Sequence, residues 1–337
     1  MPSIQRNFRV AFLLCVVLAG AVSSARASGD RSASGASPTH RTCGTGAEAA
    51  LQILGSGGPL NPEGRASTSY LVWVRDRPSI VVDLGPGSLT ELDRAGVTVT
   101  ELDAVLISHL HPDHVAELPG LLWDEDILDR HRPLILTGPS AGQQFPDFRS
   151  FLEKLFGTDG AFPFMQPILD PRSSFHLDIR VIDPAHTSPS PIRIGAAVVT
   201  AYTVPHGQAP TLAYRVDVDG ASVVFAGDQS GGDPGFATFA HHADVLVLHT
   251  ALSATARGHP FARVIGVPQR LAALAAAAGV KQVVLSHLMA FPPTYKAAKD
   301  FSLFDPPNLL AAVRSVYRGP VSLASDQRCI ALGETSH

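Results

Sequence analysis

Lysine is scarce in this chain, with four among 337 residues, and no run of basic side chains occurs anywhere in it. A surface that follows nucleic acid needs clustered positive charge to displace counterions from phosphates, so nothing here favours nucleic acid as a partner. Beyond residue 22 there is also no apolar run approaching the roughly 20 residues that cross a bilayer core. That excludes a later membrane helix and points to a mature protein without a membrane span. Cysteine is nearly absent, with only Cys15, Cys43 and Cys329. No internal repeat is evident.

The start of the chain reads as an address. Arg6 and Arg9 precede an apolar or small stretch from Val10 to Val22, and Ala25-Arg26-Ala27 has the small-x-small form cut by signal peptidases. The expectation is a secretory signal over residues 1–27, removed before Ser28, and a secreted or periplasmic protein. Cys15 lacks the preceding small residue of a lipoprotein signal, which argues against a lipid anchor. Residues 28–42 are small and polar, the composition of a disordered linker. A single domain is then expected over 43–337. Without Arg6, Arg9 and Arg26, the 26 basic residues fall to 23 against 30 acidic ones, and the net charge moves from −4 to −7. After cleavage Cys43 and Cys329 remain: in an oxidising compartment they could form one disulfide, or each could be a separate buried thiol. A homodimer stays open.

Short β-rich runs alternate with turns and helical stretches throughout. "ALQILGSGG", "TSYLVWV", "SIVVDLG", "DAVLISH" and "PLILTG" read as strands in the first half, and "FRSFLEKLF" has helical spacing. "VAELPGLLWDEDIL" reads as a helix despite Pro119. In the second half "AAVVTAYTVPH" is followed by two alternating runs around Asp219-Gly220, a hairpin signal. "RLAALAAAAGV" is a helix closed by Gly279, "KQVVLSH" a strand and "NLLAAVRSVY" a last helix. This order implies α/β layers with helices outside sheets. Residues 123–186 are the least legible, and "FGTDGAFPFMQPILDP" suggests an ordered loop. Its Phe162, Phe164 and Met165 suit either an apolar substrate wall or a small core under that loop.

The chemistry concentrates in "HLHPDH", residues 109–114, at the end of an apolar run. Residues two apart on a strand point the same way, so His109 and His111 project to one side. Pro112 stops the strand, and Asp113 and His114 take a different bearing at the turn into the next helix. One segment can thus feed two metals about 3.5–4 Å apart. "TAYTVPH", "SVVFAGD" and "KQVVLSH" repeat the pattern, ending at His206, Asp228 and His287. Ligands at the carboxyl ends of several strands converge on one rim. A lone strand-end histidine is usually just a satisfied polar residue, and only the set of six positions reverses that reading.

In these motifs the chain resembles the metallo-β-lactamase-fold hydrolases, and in "ILGSGGP", "DLGPGS" and "GVKQVVLSHL" it looks closest to the branch holding ribonuclease Z, cyclic phosphodiesterases and arylsulfatases. The resemblance implies an α/β, four-layer αββα sandwich. It also implies that His109, His111 and His206 hold one metal, that Asp113, His114 and His287 hold the second, and that Asp228 bridges them. Asp83 in "VVDLGPG" would support the ligand loop from behind, its alternative being an ordinary turn aspartate. Two zinc ions are implied, with manganese or iron compatible. The activity implied is hydrolysis of a small-molecule ester, a phosphodiester first, with aryl sulfates and lactones as rivals. Asp113 would orient the nucleophile, and His259 is a candidate proton donor or else a surface loop residue.

Two departures argue against tRNA processing. His249 is followed by Thr250 where ribonuclease Z has glutamate, and its Gly-His-Ser segment is here Gly258-His259-Pro260, displaced along the chain. A non-catalytic secreted metal-binding protein is the competing class, disfavoured by the complete ligand set.

Overall fold

Why a chain so rich in β-branched runs should bury nearly all of them becomes clear from the layers. In the computed structural model, residues 43, 47–60, 64–183, 191–291, 294–296 and 298–333 are described. They fall within one compact unit, His40–His337. The signal and linker expected over residues 1–42 lie outside the described residues, as does His186.

The first sheet takes β1 (Ala49–Gly55), β2 (Ser69–Val74), β3 (Arg77–Val82), β4 (Ala104–Leu106), β5 (Leu134–Pro139) and β6 (Leu177–Ile182). The second takes β7 (Ile192–Ile194), β8 (Ala197–Val204), β9 (Thr211–Val218), β10 (Ala221–Phe225), β11 (Val245–His249), β12 (Gln282–Ser286) and β13 (Val321–Leu323). The last strand, β14 (Cys329–Ala331), returns to the first sheet beside β1. The strand orders are β14-β1-β2-β3-β4-β5-β6 and β13-β12-β11-β10-β9-β8-β7. In each sheet an antiparallel half gives way to a parallel half: β3, β4, β5 and β6 run parallel in the first, and β10, β11, β12 and β13 in the second.

Three apolar clusters make the layers. Leu51, Ile53, Tyr70 and Val72 of the first sheet meet Val199, Val216, Val223 and Phe225 of the second. The outer face of the first sheet packs on helices α1 (Ser88–Arg94), α2 (Pro112–Val115), α3 (Leu118–Ile127) and α4 (Phe148–Phe156) through Leu92, Val115, Leu122 and Phe148. The outer face of the second packs on α5 (Gly235–Phe239), α6 (Pro268–Ala278) and α7 (Pro306–Arg314) through Phe236, Leu271 and Val313. A strand covered on both faces has no solvent side, so β1 and β10 are buried along their whole length. This is the αββα sandwich that the sequence implied.

Local chemistry explains the element ends. Pro119 is tolerated because it falls in the first turn of α3, where its missing N–H has no partner to lose. Asp219 and Gly220 both have positive φ, 47° and 90°, as a two-residue hairpin between β9 and β10 requires. Residues 123–186 are more regular than their composition suggests: they hold β5, α4 and β6, and the Phe-Pro stretch forms a 3-10 helix, Pro163–Leu169. Met165 is buried in the helical layer, whereas Phe164 is 64% exposed and lines a cavity of about 310 Å³ with Trp123. Phe162 and Met165 line the same cavity while packing in the helical layer. Cys43 and Cys329 form a disulfide with their Cα atoms 5.6 Å apart. No helix among the described residues is long and apolar enough to cross a membrane.

Candidate metal centre

Strand ends deliver every side chain of the centre. β4 leads into His109 and His111, and Pro112 at the start of α2 turns the chain so that Asp113 and His114 follow. β8 ends just before His206, β10 before Asp228 and β12 before His287. The first group is His109, His111 and His206: Nε2 of His109 lies 2.9 Å, and Nε2 of His206 3.4 Å, from Nδ1 of His111. The second is Asp113, His114 and His287, with Oδ2 of Asp113 3.3 Å from His114 Nε2 and 3.1 Å from His287 Nε2. Asp228 stands between them. Its Oδ2 is 3.6 Å from His206 Nε2 and 3.4 Å from His287 Nε2, and its Oδ1 is 3.7 Å from His114 Nε2.

The outer nitrogens fix the inner ones. His206 Nδ1–H donates to the carbonyl of Val264 at 2.9 Å, which turns its Nε2 lone pair inward. His114 Nδ1 donates to Oδ2 of Asp83 at 2.8 Å, and His109 Nδ1 lies 3.0 Å from the Ser108 hydroxyl. Asp83 is itself held, accepting from the backbone N–H of Ser108 at 2.7 Å and from its hydroxyl at 2.8 Å. It is therefore no ordinary turn aspartate. Fixing ring orientation and tautomer from behind is what metal-binding histidines need. His114 Nε2 is buried and has no hydrogen-bond partner among the described residues. A buried orphan nitrogen facing two carboxylates, among converging imidazoles, fits a divalent cation. Imidazole and carboxylate donors suit zinc, manganese or iron.

Charge follows the same geometry. In the metal-free protein burial holds His109 well below, and His111 below, the usual histidine range. Burial also pulls on His114 and His287, but Asp113, Asp83 and Asp228 outweigh it at His114, and Asp228 and Asp113 at His287, so that both are raised. Burial would raise the two central carboxyls, yet His114 and His287 hold Asp113 and Asp228 below the usual carboxylate range. Asp83 and His287 both take positive φ, 60° and 57°, a strained backbone for side chains of this kind that the surrounding packing sustains.

Sequence reasoning left out His249 except as a departure from a motif. Its Nδ1 lies 2.8 Å from Oδ1 of Asp228, and its Nε2 3.0 Å from the hydroxyl of Tyr70, which donates to Ser286 at 2.8 Å. The signal was available: "LVLH" is a fifth apolar run ending in a ligand-type residue, at the end of β11. Conversely, the structure does not bring His259 to the cluster. It caps a 3-10 turn, accepts at Nδ1 from the N–H of Phe261 at 3.2 Å, and packs on Phe261 and Phe301. Among the described residues no hydrogen bond or ring contact joins it to the ligand histidines.

Known proteins resemble this chain in sequence and in fold. A family model described as "Metallo-beta-lactamase superfamily" matches residues 62–262. "Ribonuclease Z" of Mycobacterium marinum (strain ATCC BAA-535 / M) is 31% identical over 258 residues, covering 70% of this chain and 85% of that protein. Among solved structures, the metallo-beta-lactamase fold protein YhfI from Bacillus subtilis superposes with a TM-score of 0.65 at 21% identity, over 84% of this chain and 98% of its own. Human tRNase Z, short form (ELAC1), gives 0.62 at 20% identity, over 85% and 100%. The expectation that nucleic acid is no partner sits uneasily beside a relative named for RNA cleavage.

Proposed function

Because the chain belongs to the metallo-beta-lactamase superfamily, we propose that it is an exported hydrolase that cleaves a small phosphodiester at the centre built around Asp228. That it is a metal-dependent hydrolase follows from its relatives and its clustered ligands. The observation that carries the proposal is the sharing of Asp228 between two complete ligand groups.

Bound divalent cations would supply Lewis acidity to the ester oxygens and bring the pKa of a water towards 7. The first cation would be held by His109, His111 and His206, the second by Asp113, His114 and His287. The chain's own residues do the rest. Asp113 is the more accessible of the two central carboxylates, with a side chain 11% exposed against 4% for Asp228. It would orient the attacking water and take its proton. His249, itself hydrogen-bonded to Tyr70, contacts Asp228 from the buried side. On the open side the ring of Phe145 stands 5.5 Å from that of His111 and offers an apolar wall to the substrate.

The deciding experiment measures metal content of the purified protein together with turnover of p-nitrophenyl bis-phosphate, phosphate, sulfate and acetate, with and without chelator. Two zinc ions and chelator-sensitive cleavage of the diester are expected. Two metals without cleavage of any diester would sink the substrate class and turn attention to sulfates, lactones or a non-catalytic role.

A second reading, an RNA phosphodiester, is favoured by the Mycobacterium marinum relative named Ribonuclease Z. The net charge of −4 and the lack of a basic run weigh against a long polyanion. A structured RNA precursor added to the same panel separates the two. Export is supported by the Cys43–Cys329 pair, since such bonds persist in oxidising compartments. N-terminal sequencing of exported protein should begin at Ser28.

A further inference from the structure

Arg257, Arg263 and Arg270 line one cavity of about 450 Å³ together with Gly258, His259, Pro260 and Ala262. No carboxylate is among these residues, and among the described residues none of the three guanidinium groups has an acidic partner within ion-pair reach. In a chain of net charge −4 such a concentration of unpaired positive charge is not background. His259 adds to it. Its Nδ1 accepts from the N–H of Phe261 at 3.2 Å, so the proton of the neutral ring sits on Nε2, which can donate.

The segment that lines the cavity is hydrogen-bonded to the loops that carry His206 and Asp228. Arg270 donates to the carbonyl of Ser230 at 3.3 Å, two residues beyond Asp228. The N–H of Gly266 donates to the carbonyl of Gln229 at 2.7 Å, and the carbonyl of Val264 anchors His206 at 2.9 Å. Three hydrogen bonds thus tie the arginine-bearing segment to both sides of the metal centre. The volume lies in the range of small-molecule sites. Planar guanidinium forks without competing carboxylates match phosphate oxygens in geometry as well as charge.

We propose that this cavity is a subsite for a second phosphate group, so that the preferred ester carries an additional phosphate away from the bond that is cut. This rests on the phosphodiesterase reading for its catalytic consequence, but not for the binding itself. The test has two arms on the full-length, metal-loaded protein. The first titrates inorganic pyrophosphate into wild type and the Arg257→Ala/Arg263→Ala variant by calorimetry. Both arginines are exposed, so the variant should keep the wild-type circular dichroism and melting temperature, measured alongside. A binding event at least about tenfold weaker in the variant is expected, because charge-assisted hydrogen bonds are lost. Affinities within twofold of each other would overturn the subsite, whatever the substrate. An adventitious anion alone would show itself as weak binding that Arg257→Lys/Arg263→Lys retains in full and salt abolishes, and it too would overturn the proposal.

The second arm compares thymidine 5′-(p-nitrophenyl phosphate) with its 3′-phosphorylated form, which share one scissile bond. The wild type should favour the phosphorylated form by about tenfold or more in kcat/KM, and the variant should lose the preference. Equal preference in both proteins would reject a role in substrate choice. If neither compound is cut, the phosphodiesterase reading fails, and the calorimetric arm still decides the site.

Discussion

Asp228 is the residue on which the centre depends most. It lies within 3.7 Å of one ligand nitrogen each on His206, His114 and His287, and it is held from behind by His249 at 2.8 Å. Asp228→Ala should therefore cost both metals rather than one. Metal analysis of the purified variant is the check, and full retention of metal with turnover would show that Asp228 does not bridge. Tyr70→Phe removes only the hydroxyl that fixes His249 from the other side. An effect in the range typical of outer partners is expected, about 10–100-fold in metal affinity or activity. Proton linkage at the same residues gives a pH prediction. His114 and His287 are raised in the metal-free protein, so the stability they contribute is present below about pH 6.5 and is lost as pH climbs through their folded values. Metal must displace those protons, whereas His109 and His111, held down by burial, have none to give at pH 7. The melting-temperature gap between metal-loaded and metal-free protein should accordingly widen from pH 6.5 upward, with proton release on loading measurable by calorimetry in buffers of different ionisation enthalpy. A gap that narrows over that interval would refute the linkage.

At the level of elements, the centre exists because β4, β8, β10, β11 and β12 all end at one rim. That rim was legible in the sequence because the rule is local: an apolar run stopped by a histidine or aspartate marks a buried strand emerging at a surface. His249 obeys the same rule, but its role depends on Tyr70, 179 residues away, and no local pattern reports such a contact. The short edge strands β7, β13 and β14 were equally illegible, since three residues carry too little periodicity and their pairing is set by the sheet they join. Of the two readings offered for His259, chain order could not choose, because its contacts with Phe261 and Phe301 are set by the fold of its loop. Close backbone approach is a further long-range property. Gly85, after β3, passes Asp113 so tightly that a Cβ would come within 2.2 Å of the Asp113 carbonyl oxygen. Gly85→Ala should push the Asp113 segment outward, costing about 1–3 kcal/mol of stability. Metal content should fall first in the Asp113, His114 and His287 group. Denaturant midpoints and metal stoichiometry together test this, and a variant with normal values for both would show that the loop absorbs the methyl group.

For the whole molecule, the closing constraint is the Cys43–Cys329 disulfide, which joins residues 286 apart in sequence. It secures β14 against β1 at the outer edge of the first sheet, where only three residue pairs hold the strand. What precedes β14 matters to the centre. Asp326 accepts from the N–H and hydroxyl of Ser56 and from the N–H of Ala66, and Gln327 holds Gln52. Ser56 leads into Gly57 and Gly58, and Gly58 faces the ring of His287 so closely that a Cβ there would lie 2.8 Å from it. The edge of one sheet is thus linked through the Ser56–Gly58 segment to His287 of the candidate metal centre. Cys43→Ser, or reduction of the native protein, should lower stability by about 2–4 kcal/mol. Hydrogen exchange should show the loss of protection first in β14 and in the Ser56–Gly58 turn, with β10, β11 and β12 unaffected. Because His287 is also held by Asp113 and Asp228, the metals should remain bound in the reduced protein near neutral pH. Release of metal at the same reductant concentration as loss of β14 protection would mean that the edge strand supports the centre directly, and that an intact disulfide is a condition of activity.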